Sequence, residues 1–219
     1  MTSNGLMAFV VKGLLALTSV SGLAVAGDWT PINREQALEQ TRNTQVDKRR
    51  LAYGRLAEVG TMDDVPVLLA ALWDEEELIR GMAELSVWGI WMRTDDPVAD
   101  PLFQTGMLLI TQDDPTAAIE KLNQVIELKP DFAEVWNRRG NAYEVLGDDD
   151  RALADYERAI ALNPYQFGTL ESCGGIWMTR SNYRKAADYF RRALDLNPNL
   201  SQAAEALHAL EEKLENDRI

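Results

Sequence analysis

The fold of this chain is decided by one stretch, AEVWNRRGNAYEVLGDDDRALADYERAIALNP, which spans residues 133–164. Its glycine, Gly140, recurs at a spacing of 34 residues as Gly106 and Gly174. Four further sets of residues share that spacing: Ala118, Ala152 and Ala186; Leu122, Tyr156 and Phe190; Val125, Ala159 and Ala193; Pro130, Pro164 and Pro198. A fixed period of this length is typical of stacked helical units, so the second half is predicted to be a solenoid.

The middle copy resembles the tetratricopeptide repeat, a helix-turn-helix unit. The resemblance rests on Trp136, Gly140, Tyr143, Ala152, Tyr156, Ala159 and Pro164. It implies an all-α protein, a right-handed α-solenoid of three units over residues 99–132, 133–166 and 167–200. Arg139 departs from the family, which usually has leucine there. If Arg139 is partly buried, it requires acceptors nearby, because an unpaired buried charge is costly.

The segments on either side of the repeats are predicted to be helical caps. Residues 201–219 place Ala203, Ala204, Leu207, Leu210 and Leu214 on one stripe, as a capping helix requires. Residues 27–98 contain a stretch, 65–91, that looks like one HEAT-type helical hairpin. We expect this segment to extend the superhelix and to cover the exposed face of the first unit. Two interpretations are open for three of its tryptophans: a platform for a ligand or, as we expect from their helical spacing, the core of the segment. They are Trp73, Trp88 and Trp91.

Residues 1–26 read as an export signal. Lys12 precedes an apolar run, and Ala24-Val25-Ala26 matches a small-x-small cleavage site before Gly27. This pattern predicts a periplasmic or secreted protein after cleavage near Ala26. The alternative is a membrane-anchored protein held by an uncleaved segment, because residues 6–26 would nearly span a bilayer if Lys12 were accommodated there.

The charge of the chain bears on its partners. It has 35 acidic and 22 basic residues, for a net charge of −13. Nucleic acids and anionic lipids require clustered lysine and arginine, so neither is an expected partner. A protein or extended peptide that is basic suits the charge better, and no oligomeric state follows from it.

The resemblance also implies a concave groove lined by the first helix of each unit. The groove positions that we expect to contact a partner are Phe103, Met107, Glu134, Asn137, Asn141, Glu144, Glu171 and Met178. Phe103 and Met107 either hold an apolar anchor of the partner or pack against the N-terminal hairpin. Asn137 and Asn141, one helical turn apart, either bind the backbone of an extended peptide or are solvated helix surface.

One function of the family is argued against by the residues present. The clamp that holds the C-terminal carboxylate of heat-shock chaperones needs cationic and amide side chains at set positions. The matching positions here are Phe103, Met107, Gly168 and Ser172. We therefore expect no such clamp.

No catalytic, metal or cofactor site is recognisable in the sequence. Asp148, Asp149 and Asp150 stand where a turn enters a helix, where carboxylates cap free amides. His208 is the only histidine and Cys173 the only cysteine, so neither a zinc site nor a disulfide is expected. The sequence favours a non-catalytic adaptor or scaffold of the bacterial envelope. The alternative is a structural subunit that uses its repeats for permanent assembly in an envelope or enzyme complex.

Overall fold

A computed structural model describes residues 32–216 of the chain. Within these residues the chain forms eleven α-helices and no β-strand, which confirms the predicted all-α class. The helices are α1 (Arg34–Gln40), α2 (Val46–Val59), α3 (Val65–Ala70), α4 (Glu77–Trp91), α5 (Ala99–Thr111), α6 (Pro115–Leu128), α7 (Ala133–Val145), α8 (Asp149–Leu162), α9 (Phe167–Thr179), α10 (Tyr183–Leu196) and α11 (Ser201–Asn216).

Helices α5 to α10 form three consecutive pairs that reproduce the sequence period. The first helices of the pairs begin at Ala99, Ala133 and Phe167, each 34 residues after the last. The second helices follow the same spacing and begin at Pro115, Asp149 and Tyr183. The predicted solenoid of three helix-turn-helix units is therefore confirmed.

The turn inside each pair is built in the same way. One residue adopts a left-handed backbone, with φ of 62° at Asp113, 73° at Gly147 and 58° at Ser181. The next side chain accepts a hydrogen bond from a backbone N–H three residues later and so caps the second helix. These capping residues are Asp114, Asp148 and Asn182. The prediction that Asp148 acts as a cap is confirmed.

The repeated glycines allow the two helices of a unit to approach closely. A Cβ at position 140 would lie 2.5 Å from Cε1 of Tyr156, and one at position 174 would lie 2.8 Å from Cε1 of Phe190. Real Cβ atoms do not approach this closely, so these aromatic rings occupy the space that a side chain at the glycine would need. The repeated glycine and the repeated aromatic residue of these two units therefore pack directly against each other.

The N-terminal segment, residues 32–98, is held together by its own buried contacts. Arg34 donates to both carboxylate oxygens of Asp64, at 2.7 and 2.6 Å. The hydroxyl of Ser86 on α4 donates to the carbonyl oxygen of Tyr53 on α2, at 2.6 Å. The predicted helical hairpin over residues 65–91 is present as α3 and the longer α4.

The position of this segment differs from the expectation that it would extend the superhelix ahead of the first unit. The ring of Phe167, at the start of α9, lies 5.7 Å from the ring of Trp88 and 5.2 Å from that of Trp91. The side chain of Asn199 donates to the carbonyl oxygen of Leu72 at 2.8 Å. The segment therefore folds back onto the third unit, because its aromatic face finds apolar partners there.

The tryptophans of the segment also differ from one another. Trp91 is 3% exposed and lies in the core, as predicted, whereas Trp73 is 63% exposed and the core prediction is wrong for it. Trp88 is half-buried at the border between the segment and the repeats.

Helix α11 covers the other end of the array. Ala203 and Leu210 are buried against Phe190 and Ala187 of α10, which confirms the predicted capping helix. The export signal predicted over residues 1–26 lies outside the described residues. Among residues 32–216, no helix is both long and apolar enough to cross a bilayer.

Candidate functional site

A cavity of about 350 Å³ lies between the N-terminal segment and the repeats. Helix α4 forms one wall, the first helices α7 and α9 form the floor, and the start of α11 closes one side. This volume falls at the lower end of the range of small ligand pockets. The cavity is preformed, because the wall helix α4 and the floor helices α7 and α9 belong to packed cores.

Six of the eight predicted groove residues line this cavity. They are Met107, Asn137, Asn141, Glu144, Glu171 and Met178. They come from α5, α7 and α9, the first helices of the three units, as the resemblance implied. The structure therefore brings most of the predicted site together in one place.

Phe103 is a correction to the predicted site. Its side chain is fully buried, and its ring meets that of Phe132 edge-on with centroids 5.0 Å apart. A side chain that is already enclosed by its own core presents no surface to a partner. The expectation that Phe103 holds an apolar anchor of the partner is therefore wrong; Phe103 lies in a core cluster of the first unit, against which Met92 at the end of the N-terminal hairpin also packs.

Glu134 is the second correction, because it is 1% exposed and lies beneath the cavity. It forms a buried ion pair with Arg138 and accepts a hydrogen bond from Asn137 at 3.1 Å. Gln166 donates to its other carboxylate oxygen at 2.8 Å. Burial raises the pKa of Glu134, although the Arg138 charge opposes this shift. Glu134 thus orients side chains that line the cavity instead of touching a partner.

The two asparagines are held in place by hydrogen bonds within the protein, and Asn141 is the more exposed of the two. Asn137 is 5% exposed and bonded to Glu134. The hydroxyl of Tyr156 lies 2.8 Å from Oδ1 of Asn141 and 2.6 Å from Oε2 of Glu144, within donating distance of both. A hydroxyl has one hydrogen to donate, and this shared contact holds the Asn141 and Glu144 side chains in place.

Two residues of α4 belong to the site although the sequence analysis did not place them there: Glu84 was not singled out, and Trp88 was expected in the core. Glu84 and Trp88 line the cavity opposite α9, and both lie outside the repeats. They are four residues apart on one helix, which places them on the same face. No repeat column marks them, so no periodic signal in the sequence pointed to them.

The charge of the cavity is negative. Three glutamates line it, Glu84, Glu144 and Glu171, and Arg138 is the one basic residue among the described lining side chains. Burial raises the pKa of each of the three carboxyls. The Glu84 charge raises the pKa of Glu171 further.

Neither Cys173 nor His208 lines the cavity. Burial raises the pKa of the Cys173 thiol to about 12, so this thiol stays protonated at neutral pH and is a poor nucleophile. His208 is exposed on α11, with Nε2 3.5 Å from Glu212. In the described part of the chain, no three potential metal ligands lie together.

Comparisons with known proteins agree with the helical repeat. A family model described as tetratricopeptide repeat matches residues 133–166, and one described as TPR repeat matches residues 112–147. A TPR repeat-containing protein of Rhizobium etli is 34% identical over 102 residues, which cover 47% of this chain and 50% of the relative. The chain spans half or less of the length of the curated relatives it matches.

Solved structures show the same fold over about half of the chain. The first TPR domain of Spaghetti (RPAP3), bound to an HSP90 peptide, has a TM-score of 0.51 at 23% identity. The matched region covers 53% of this chain and 92% of the Spaghetti chain. The Sgt2 TPR domain of Aspergillus fumigatus has a TM-score of 0.52 at 19% identity, over 56% of this chain and 83% of its own.

Proposed function

Because residues 112–166 match models of the tetratricopeptide repeat, we propose that this chain is a non-catalytic protein-interaction module. Its concave cavity would hold an extended segment of a partner protein. The observation that carries this proposal is the preformed cavity across α5, α7 and α9, which is lined by six of the predicted groove residues. A preformed site limits the ordering cost of binding. The fold supports the proposal as well, because a TPR domain of similar structure holds an HSP90 peptide.

The lining favours a basic partner segment with an apolar anchor. Phe103 is buried in the core, so the apolar contacts of the cavity come from Met107, Met178 and Trp88 instead. Methionine side chains adapt to irregular apolar shapes. Three glutamates in the same cavity oppose an acidic chain terminus, which agrees with the absence of a carboxylate clamp from the sequence.

Obstruction of the cavity tests this proposal. Gly175 lines the cavity, and a Cβ there would meet nothing within 4 Å, so Gly175→Phe should fill the cavity without disturbing the helices. Peptides would first be selected from a random displayed library on the wild-type protein. We expect Gly175→Phe to weaken the selected peptides by at least about tenfold, or about 1.4 kcal/mol. Fluorescence polarisation with labelled peptides would measure the change.

The matched control is Gly81→Phe. Gly81 is also a helical glycine with free space around it, but it is exposed on α4 outside the cavity. We expect its affinities to stay within about twofold of wild type. Equal binding by both variants would place the peptides on another face and favour the structural-subunit alternative. A library without binders would contradict peptide recognition itself.

We further propose that the protein acts in the bacterial cell envelope. The support is the pattern of Lys12, the apolar run and Ala24-Val25-Ala26. The full-length gene product would be expressed in a bacterium, fractionated and sequenced from its N-terminus. We expect the mature chain to begin at Gly27 in the periplasmic or secreted fraction. A full-length chain in the membrane fraction would instead support an uncleaved anchor.

A further inference from the structure

The glutamates Glu84 and Glu171 are brought together only by the tertiary structure. Glu84 lies on α4 in the N-terminal segment, and Glu171 lies on α9 in the third unit. Both side chains line the same cavity, and the Glu84 charge raises the pKa of Glu171. Two like charges in a partly dehydrated site repel each other, so their juxtaposition weakens the docking of the segment unless a cation joins them.

The described part of the protein does not supply that cation. Arg138 is the basic residue of the lining, and its charge is matched by the buried Glu134 beneath it. The Glu84 carboxylate has hydrogen-bonding contacts with the side chains of Trp88 and of Asn197, the latter at 3.5 Å, and both of these partners are neutral. Glu171 is affected by burial and by Glu84, and no donor among the described residues reaches its carboxylate. A net negative charge is therefore left on this side of the cavity.

The third glutamate of the cavity is in a different position. The Glu144 carboxylate lies 2.6 Å from the Tyr156 hydroxyl, which donates to it within the protein. Its charge is thus partly satisfied by its own helix pair. The unmatched part of the cavity is at Glu84 and Glu171.

The wall next to these carboxylates is apolar and aromatic. Trp88 lies four residues after Glu84 on α4. Its ring centroid is 5.7 Å from that of Phe167, which stands at the start of α9. Met178 lines the cavity on the same helix as Glu171. Lysine and arginine side chains have an apolar stem and a charged end, and both interact favourably with tryptophan rings. An apolar wall that ends at two carboxylates fits this shape and charge.

We propose that the cavity binds one lysine or arginine side chain of the partner segment, seated between Glu84 and Glu171 against Trp88. This inference rests on the proposed function and adds to it the residue type that is recognised. It also assigns specificity to α4, so that the N-terminal segment is half of the binding site and not merely a cap of the array. Recognition would require both the repeats and the segment docked on them.

The test is a double-mutant cycle with the best peptide from the selection described above. The peptide would be synthesised in its native form and with its anchoring arginine or lysine replaced by uncharged citrulline or norleucine. On the wild-type protein this replacement is expected to weaken binding by at least about tenfold. On the Glu84→Gln/Glu171→Gln protein, the same replacement should change the affinity by less than about threefold, because the anionic seat is absent.

The control protein carries Glu75→Gln and Glu157→Gln, which remove the same total charge at exposed positions outside the cavity. It should discriminate between the two peptides as strongly as the wild type does. Thermal unfolding of all three proteins checks the fold. We expect the Glu84→Gln/Glu171→Gln protein to be at least as stable as wild type, because a repulsion has been removed.

The outcomes separate the two proposals. Two results would overturn the cationic seat and leave the proposed function standing. One is that selected peptides bind in the cavity without a basic residue. The other is that wild type and the Glu84→Gln/Glu171→Gln protein distinguish the two peptides equally well. Discrimination lost in the control variant as well would attribute the effect to overall charge and also overturn the seat. If free n-butylammonium bound as tightly as the peptide, the ligand would be a small amine and not a side chain of a partner segment, which would overturn the proposal. Absence of any peptide binder would instead contradict the proposed function.

Discussion

Replacement of Arg139 by leucine is expected to lower the free energy of unfolding by about 3 to 5 kcal/mol. The guanidinium donates to both oxygens of Asp155 at 2.7 Å and to Oδ1 of Asn123 at 2.6 Å. It also lies 4.9 Å from the ring centre of Trp136. Asp155 is 5% exposed, so removing the arginine leaves a buried carboxylate without its cation. The cost comes from this unpaired charge more than from the lost attraction.

Urea denaturation of wild type and variant would measure the loss. The double variant Arg139→Leu/Asp155→Leu is the control, since it removes both charges from the same place. We expect it to recover most of the stability, because buried ion pairs can often be replaced by apolar residues at little cost. If the stability losses of Arg139→Leu and of Asp155→Leu simply added up in the double variant, the two side chains would not act as a pair.

Replacement of Phe167 by alanine is expected to destabilise the protein by about 3 to 5 kcal/mol, as for other large side chains deleted from cores. The ring is 1% exposed and contacts Trp88 and Trp91 of α4. Because these contacts join the N-terminal segment to the third unit, the loss should fall first on α4. Hydrogen exchange monitored by mass spectrometry should show α4 losing protection before the helices of the repeats.

The matched control is Phe190→Ala. Phe190 is 4% exposed and belongs to the same unit, but its ring packs on Gly174 and on α11. We expect a comparable loss of global stability while α4 keeps its relative protection. If α4 lost protection equally in the two variants, Phe167 would not be the contact that docks the segment.

The repeat part of the fold was predictable because its information is local and periodic. The 34-residue spacing reappears in the starts of the helices and in the capping residues Asp114, Asp148 and Asn182. Each of these features depends on residues within one unit or on the contact to the next unit. A pattern of that range is written in the order of the residues and can be read without a structure.

The site was predictable only in part. The position of a residue on a first helix identified six side chains that line the cavity, among them Asn141 and Glu171. The same rule misplaced Phe103 and Glu134, because helical position does not tell whether a neighbouring core encloses the side chain. Arg139 was recognised as needing acceptors, but Asp155 and Asn123 were identified only in the structure.

By itself the sequence determined the three units, their turns and the acidic character of the chain, because these follow from spacing and composition. The tertiary structure alone decided where the N-terminal segment docks and which of its side chains share the cavity with the repeats. Glu84 and Trp88 are far in sequence from Glu171 and Phe167 and share no period with them. Their meeting depends on packing between two parts of the chain that are far apart in sequence, and such packing is a property of the tertiary structure.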